Sequence, residues 1–420
     1  MNSFQIFRFM ALPLFLFAAS GFAQTNLTNA RAFGMGGAYL TRAAGAEAVR
    51  WNPANLGLRA APKFSLMFAS FGLGVSNNAF NQTDYNLYNG AKLSAVDKQN
   101  ILRRLPNDGW NFRASSGLDL FGISACNAAA LAGLDVISDA NLPRDFVDLV
   151  LNGNALNRRY DFSRTRGSAL AMATLGFSYG HAIKLPQKSL ALALGGTIRY
   201  LHGFRFFEIT EARGHVLTTT AGIFGDANAQ ARLASGGAGI SVDLGAAAVL
   251  KRQWQLGLAL QNIVGVMHWN RGVKRYEYGV HADSLTLVAV EEDENAVFDN
   301  TSRKRASQAF MITLPPVLHV GASRNWKRMH MSADLLQGLK NAYGVVLTPE
   351  LRVGAEMNAV PALSLRGGLR LGGHHKVGSA VGIGLHAGEF DFDLAAGALG
   401  GVVPLYGKGM GLAMSMRVSR

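Results

Sequence analysis

Residues 351–372 read LRVGAEMNAVPALSLRGGLRLG and contain two segments with a period of two. In residues 351–357 the side chains of one face are Leu351, Val353, Ala355 and Met357, and those of the other are Arg352, Gly354 and Glu356. In residues 363–371 one face has Leu363, Leu365, Gly367, Leu369 and Leu371, and the other has Ser364, Arg366, Gly368 and Arg370. Since successive side chains of a strand point to opposite faces, the pattern predicts two β-strands, each apolar on one face only.

The same alternation recurs in residues 240–248, 254–261, 390–396 and 412–418. Alternating segments of about ten residues are typical of transmembrane β-barrels. A soluble β-sandwich would also alternate, but here the polar faces are rich in Gly, Arg and Asp, and no helical pattern supplies a layer to cover the apolar faces. After residue 23 no run reaches the roughly 20 apolar residues of a membrane helix. The sequence therefore predicts an all-β fold, a transmembrane antiparallel β-barrel that closes on itself.

The polar faces carry charged residues that we expect to line the lumen. These are Arg199, Asp243, Arg352, Glu356, Arg366, Arg370, Asp391, Asp393 and Arg417. Unpaired charges in a narrow lumen are costly, so we expect Arg366 and Arg370 to pair with Glu356 and with Asp391 or Asp393.

Short turns at 186–187, 251–253, 358–360 and 388–389 are predicted to join neighbouring strands into hairpins. Aromatic residues near strand ends are candidates for girdles at the two membrane interfaces. They are Tyr200, Phe204, Phe206, Phe207, Trp254, Trp269 and Trp326.

Three stretches interrupt the strand pattern. Residues 94–105 and 143–157 have apolar spacing closer to 3.6, which predicts loop helices, and Pro143 fits a first helical turn. Residues 286–310 contain an acidic quartet, 291–294, and a basic triplet, 303–305, and are predicted to form a long extracellular excursion. The quartet lacks the spaced oxygen ligands of a calcium loop, which favours a solvated surface.

Residues 1–23 have the features of a secretory signal peptide. Arg8 precedes the apolar run 9–19, and Gly21 and Ala23 supply small residues before a cleavage site at Gln24. No cysteine directly follows the run, so a lipoprotein anchor is not supported. The mature chain is expected to be exported.

Composition excludes several classes of protein. The single cysteine, Cys126, cannot form an internal disulfide, so the chain is not a disulfide-stabilised secreted domain. Hydrophobic residues make up 49% of the chain and charged residues only 16%, which suits a surface that contacts lipid. The net charge of +14 comes from scattered Lys and Arg without a nucleic-acid motif, so no nucleic-acid partner is expected.

The segment 29–57 reads NARAFGMGGAYLTRAAGAEAVRWNPANLG. Its G-x-G-G-A-Y and W-N-P-A-x-L-G motifs resemble the N-terminal signature of the FadL-like outer-membrane barrels, a superfamily that includes fatty-acid transporters and the PorV-like barrels of type IX secretion. Residues 254–263, 351–372 and 401–420 resemble the repeating strands of an uncharacterised branch. One departure is the end of the chain, Val418-Ser419-Arg420, where many such barrels end on an aromatic residue.

The resemblance implies a barrel of about 14 strands, 61–420, in the outer membrane of a Gram-negative cell, although the strand-like segments of the sequence also allow 16. It also implies a hatch, 24–60, inside the lumen. The hatch motif would consist of Gly34, Gly36, Gly37, Trp51, Asn52, Pro53 and Ala54. The implied partners are outer-membrane lipid and either a hydrophobic small molecule or secreted protein cargo.

Residues for catalysis or metal binding do not form a recognisable motif. The sequence has no nucleophile elbow, C-x-x-C, H-E-x-x-H or phosphate-binding glycine loop. No cofactor, metal or enzymatic activity is therefore expected. Two functions remain: a passive transporter or porin-like channel for hydrophobic or amphipathic molecules, favoured by the hatch motif, and a PorV-like barrel that docks secreted or surface proteins.

Overall fold

The computed structural model describes residues 28–58, 62–186, 189–251, 253–285 and 298–420. The predicted signal peptide, 1–23, and the acidic quartet, 291–294, lie outside these residues. The described residues form 19 strands and four α-helices. The strands are β1 (Phe64–Asn77), β2 (Trp110–Ala125), β3 (Ala128–Leu142), β4 (Arg159–Asp161), β5 (Arg166–Ile183), β6 (Leu190–Thr219), β7 (Gly222–Ala234), β8 (Gly236–Leu250), β9 (Trp254–Arg271), β10 (Lys274–Leu285), β11 (Phe298–Ala306), β12 (Phe310–Thr313), β13 (Val317–Trp326), β14 (Met329–Gly338), β15 (Glu350–Val360), β16 (Leu363–Gly372), β17 (Lys376–Ala387), β18 (Phe390–Leu399) and β19 (Gly409–Ser419). The helices are α1 (Ala30–Gly34), α2 (Gln82–Tyr88), α3 (Ala95–Arg104) and α4 (Arg144–Asn152).

The strands close into an antiparallel barrel of 14, which confirms the predicted fold and selects 14 strands over 16. The first and last strands pair along their length, from Ser65 opposite Ser419 to Ser76 opposite Gly409. The segments β12 and β13 both pair with β9 and together make one wall strand. Between them lie Pro315 and Pro316, which have no N–H to donate to a ladder. Among the residues that the structure describes, the wall strands therefore close without an open edge, as a lipid surrounding requires.

The two ends of the barrel differ. At the end where Phe64 meets Arg420, called the short-turn end, neighbouring strands are joined by tight connections such as 126–127 and 361–362. At the opposite, long-loop end lie the loop helices α2, α3 and α4. There the long strand β6 continues beyond the barrel and, with β4, β7, β10 and β11, forms a sheet that projects from the wall.

The alternation of strand faces follows the predicted register. Leu365 is 40% exposed on the outer surface, whereas its neighbour Arg366 is 4% exposed and faces the interior. The same contrast holds for Leu351 beside Arg352 and for Leu394 beside Asp393. The outer surface is thus a band of apolar side chains of the kind that contacts lipid.

Several local predictions are corrected by the structure. The turn predicted at 358–360 lies instead at Pro361–Ala362, because Val360 still pairs with Leu363. The helix predicted over 143–157 is shorter and ends before Gly153, whose φ of +74° is left-handed. Residues 298–306, predicted as part of a loop, form β11. The helix at 94–105 is confirmed, with Ser94 and Asp97 forming a capping box.

The N-terminal segment, residues 28–58, lies inside the barrel. It contains α1 and two short 3₁₀ helices, Gly45–Arg50 and Pro53–Gly57. None of its residues is exposed, and Ala32, Leu40 and Asn52 are fully buried. The segment contacts strands on opposite sides of the wall, β5, β6 and β8 through residues 53–57 and β17, β18 and β19 through α1.

Candidate functional site

The turn at Asn52 fixes one end of the N-terminal segment. The Asn52 side chain accepts a hydrogen bond from the Ala54 N–H at 3.1 Å and donates one to the Ala246 carbonyl of the wall at 3.0 Å. Pro53 follows at the first position of its 3₁₀ helix, where its missing N–H has no partner to lose. Asn55 then ties the turn to the rest of the segment by donating to the carbonyls of Leu40 and Ala43.

The glycine motif of the segment rests against two arginines of the wall. Gly36 has φ of +65°, and a Cβ atom there would lie 2.8 Å from the Leu369 nitrogen, so only glycine fits. Arg370 donates to the Gly36 carbonyl at 2.9 Å. Arg352 lies against Gly37 and pairs with Glu350 at 2.6 Å.

A set of four arginines and four carboxylates joins the segment to the wall, and we call it the ionic cluster. Its members are Arg31, Arg42 and Glu47 of the segment and Glu356, Arg366, Asp391, Asp393 and Arg417 of the wall. Glu356 contacts three arginines, with the closest approaches from Arg366 at 2.6 Å and Arg42 at 2.7 Å. Arg366 also contacts Asp393 at 2.7 Å. Because the charges balance and lie close together, the cluster holds the segment without a net buried charge.

Further contacts of the segment involve residues that sequence analysis did not identify. Arg50 of the segment pairs with Asp119 at 2.5 Å and with Asp135 at 3.2 Å. Asp334 of the wall accepts the backbone N–H groups of Tyr39 and Leu40, at 2.8 and 2.9 Å. The alternation of β14 places Asp334 on the buried face with Ser332, so extending the period-two pattern would have identified it.

The other predicted lumen charges face the interior but do not all contact the segment. Arg199 pairs with Asp243 of a neighbouring wall strand. The expectation that Arg370 pairs with a carboxylate is wrong: it forms no ion pair within the described part of the chain, and its guanidinium lies 4.9 Å from the centroid of Phe33. The carbonyl of Gly36 and the ring of Phe33, both from the segment, take the place of the expected carboxylate.

Apolar side chains fill a second part of the interior around Phe206, and we call this set the aromatic cluster. The ring centroid of Phe206 lies 5.1 Å from Phe310, 5.3 Å from Trp269 and 6.2 Å from Tyr343. Its aliphatic members are Ile137, Leu170, Leu201, Met267, Val273, Ile312 and Leu314, with Ala234 and Met172 beside them.

The aromatic cluster corrects the prediction of girdle residues. Phe206 and Trp269 are 1% and 0% exposed and belong to the interior, not to a membrane interface. For Phe206 the cause is an irregularity in the pairing of β5 with β6, where Phe204 is an extra residue, so that the side chains beyond it change faces. Tyr200, Phe204, Trp254 and Trp326 do lie exposed on the outside.

The aromatic cluster lies on the long-loop side of the N-terminal segment. Along three strands the segment contacts Gly176, Gly195 and Gln261. The cluster residues Leu170, Leu201 and Met267 each lie six positions farther toward the long-loop end, or about 20 Å at roughly 3.3 Å per residue. The interior is thus divided between a charged region around the segment and an apolar region beyond it.

The loop between β14 and β15 reaches into this apolar region. Ala342 and Val345 exchange backbone hydrogen bonds, and the two residues between them, Tyr343 and Gly344, have φ of +42° and +85°. This is the sign pattern of a type I′ turn. Burial of the phenol, together with nearby Glu208, raises the pKa of Tyr343 to about 12.

Within the described ranges no group of His, Cys, Asp and Glu side chains is placed to hold a metal ion. No α-helix of the described chain is long and apolar enough to cross a membrane. The interior offers paired charges, backbone hydrogen bonds and an apolar region, which are means of holding a segment or a small molecule.

A family model described as "Family of unknown function (DUF5723)" matches residues 53–236 and 224–397. No curated protein sequence matches the chain. Among solved structures, the Ralstonia pickettii toluene transporter TbuX is 14% identical with a TM-score of 0.52, over 94% of this chain and 99% of that one. A Pseudomonas aeruginosa FadL homologue is 13% identical with a TM-score of 0.52, over 95% and 100%.

The P. putida toluene transporter TodX is 13% identical with a TM-score of 0.51, over 96% of this chain and 99% of that one. At such identities these likenesses concern the fold alone. They confirm the resemblance to FadL-like barrels that the sequence motifs indicated.

Proposed function

The chain belongs to DUF5723, a family of unknown function, and we propose that it is an outer-membrane channel for the passive entry of hydrophobic small molecules. We propose further that its N-terminal segment closes the channel at rest. The observation that carries the proposal is the aromatic cluster: an apolar, buried region inside a membrane-spanning barrel, on the long-loop side of a segment held by polar contacts. A water-filled porin keeps a polar interior. An apolar lining instead favours molecules that leave water readily.

The position of segment 28–58 inside the barrel and its contacts with the wall support the proposal that it acts as a hatch. We propose that the motif Gly34, Gly36, Gly37, Trp51, Asn52, Pro53 and Ala54 positions it, and that release of the ionic cluster moves it. The lumen charges Arg199, Asp243, Arg352, Glu356, Arg366, Arg370, Asp391 and Asp393 then serve to hold the hatch and brace the wall. Export through the signal peptide 1–23, long loops outside and short turns in the periplasm follow from this location.

The solved structures support the choice of cargo. TbuX and TodX are toluene transporters, and toluene is a small apolar molecule. By analogy of fold, which is weaker than analogy of site, we propose the same broad class of cargo for this chain. The alternative, a PorV-like barrel that docks secreted proteins, draws no support from the structures named above. The proposed function involves no catalysis.

Uptake of N-phenyl-1-naphthylamine by a Gram-negative host tests the function, because this dye fluoresces only after it passes the outer membrane. Cells that express the full-length chain should take up the dye faster than cells with an empty vector. If they do not, the transporter proposal fails and the docking barrel becomes the better one.

A deletion of residues 29–57 tests the hatch separately. The deleted barrel should still show a heat-dependent shift on a gel, which reports a folded barrel, and should admit arabinose into liposomes where the intact chain does not. Asn52→Ala serves as a milder variant that removes two hydrogen bonds and should raise dye uptake with insertion unchanged. A folded, deleted barrel that stays impermeable would show that the segment closes nothing.

A further inference from the structure

We propose that the aromatic cluster binds a small, neutral aromatic molecule with one hydrogen-bond acceptor, and that the Tyr343 ring fills the place of this guest in the structure. The proposal rests on the proposed function, because it names the class of molecule that the channel would hold. It differs from a fatty-acid site, since it assigns no role to a carboxylate headgroup.

The backbone at Tyr343 is the first reason. Tyr343 and Gly344 form a turn in which both central residues have positive φ, a position that favours Gly, Asn or Asp. A bulky side chain at positive φ is a strained choice. The ring of Tyr343 nevertheless reaches the Phe206 ring in an edge-to-face arrangement, 66° between planes. The turn therefore places a ring against the aromatic cluster although the backbone conformation at Tyr343 is unfavourable.

The walls of the cluster suit an aromatic guest. The Phe206 centroid lies 5.1 Å from that of Phe310 and 5.3 Å from that of Trp269, within the range in which aromatic pairs interact favourably, so the cluster already packs ring against ring. Arg232 stacks over Phe310, 4.2 Å from its centroid. A second ring in the position of Tyr343 would meet the ring of Phe206 and pack against the cluster as Tyr343 does.

The charge balance selects a neutral guest. Arg232, the cation that stacks on the cluster, is already paired with Glu208 at 2.6 Å. A carboxylate guest would have to displace Glu208 and leave it unpaired. A neutral ring leaves this ion pair in place.

The indole N–H of Trp269 is the reason that the guest needs a hydrogen-bond acceptor. Trp269 is fully buried, and its Nε1 has no hydrogen-bond partner among the residues that the structure describes. A buried donor without a partner is uncommon and usually has a reason. A carbonyl or ether oxygen on the guest would give this N–H its partner.

The turn also gives the guest a route. Gly344 accepts a hydrogen bond from Arg113 at 3.2 Å, and Val345 packs on Val317 and Leu336. Tyr343 itself is only half-buried and belongs to a loop at the long-loop end. Rotation of its side chain away from Phe206 would open the cluster toward that end without disturbing the hatch.

Binding of two matched probes to the refolded protein in detergent micelles tests the proposal. Acetophenone carries a carbonyl oxygen, and α-methylstyrene has the same shape with a methylene group instead. Equilibrium dialysis against micelles without protein corrects for partition into detergent. The wild-type chain should bind acetophenone. Trp269→Phe should weaken the affinity for acetophenone about five-fold, the effect of one hydrogen bond, and leave the affinity for α-methylstyrene unchanged. Trp326→Phe, on the exposed outer surface, is the matched control and should change neither.

Tyr343→Gly is the second variant, since glycine accepts the positive φ and removes the competing ring. It should tighten binding of both probes several-fold. If a folded Tyr343→Gly barrel binds the probes no more tightly than the wild type, the proposal is overturned, whether or not Trp269→Phe folds. If Trp269→Phe weakens binding of both probes equally, the requirement for an acceptor on the guest is overturned. Probe binding without dye uptake by cells would contradict the proposed function but support this binding site. Dye uptake without these effects on probe binding would support the proposed function but contradict the binding site.

Discussion

The ionic cluster and the aromatic cluster lie in the same barrel and are held together by different forces. In the ionic cluster, Glu356 touches three arginines, and each contact depends on distance and direction. In the aromatic cluster, Phe206 lies among rings and aliphatic side chains whose attraction has little directionality. The first arrangement specifies one position of the N-terminal segment. The second can exchange one apolar partner for another, which is what a site for a guest molecule requires.

The largest expected effect is the loss of Arg366. Arg366→Leu leaves Glu356 and Asp393 facing each other without the cation between them, and breaking a buried pair in this way costs about 3–5 kcal/mol. Unfolding by urea, followed by the heat-dependent gel shift, should show this loss. Arg103→Leu in the exposed end of α3 is the control and should change stability little. Equal stability of the two variants would mean that the ionic cluster contributes no more than a surface charge.

A pair of double-mutant cycles sharpens the comparison. Arg42 and Glu356, at 2.7 Å across the boundary between segment and wall, should show a coupling of about 2–3 kcal/mol, near the upper end for residues in one network. Phe206 and Trp269, at 5.3 Å, should couple by about 0.5–1.5 kcal/mol. Both couplings come from the same unfolding assay. A larger coupling for the aromatic pair would reverse the proposed roles of the two regions.

The smallest effect should come from conservative substitutions. Met267→Leu in the fully buried part of the aromatic cluster should cost less than about 1.5 kcal/mol, since it conserves volume and polarity. Arg366→Lys should cost more, because a lysine cannot reproduce the fork that contacts Glu356 and Asp393. Unfolding midpoints of the two variants give the comparison. If Arg366→Lys is the better tolerated, geometry does not matter in the ionic cluster.

Much of the fold could be predicted from the period-two pattern, because the outer face of each strand meets lipid and the inner face cannot. Leu365 and Arg366 fall on the two sides accordingly. The pattern failed at Phe206, where the extra residue Phe204 in β6 changes the faces of the side chains that follow it, up to a second irregularity between Ile209 and Glu211. A bulge depends on pairing with a neighbouring strand, so one strand's sequence does not reveal it.

The site was less predictable than the fold. Motif resemblance pointed to residues 29–57 but not to the wall residues that contact them. Asp334 and Arg50 make contacts over long sequence separations, which a single sequence does not encode as a pattern. Tyr343 lies in a loop without any alternation. Trp269 is different, because it lies an even number of residues from Ala259 and Gln261. Continuing the β9 alternation would therefore have placed its side chain inside the barrel.

The central claim is that movement of the N-terminal segment opens the barrel, and a reversible disulfide tests it most directly. The hydroxyls of Thr41 in the segment and Ser323 in the wall lie 2.8 Å apart. Thr41→Cys with Ser323→Cys, in a Cys126→Ser background, should lock the segment when oxidised. The control is Ser178→Cys with Thr197→Cys, which joins two wall strands whose hydroxyls lie 2.7 Å apart.

The measurement is uptake of N-phenyl-1-naphthylamine by cells expressing each pair before and after reduction. We expect the oxidised Thr41–Ser323 pair to lower uptake to the level of the empty vector and reduction to restore it. The oxidised Ser178–Thr197 pair should take up dye at the wild-type rate. Uptake through the oxidised Thr41–Ser323 lock at the rate of its reduced form would contradict the account, because molecules would then pass without movement of the segment.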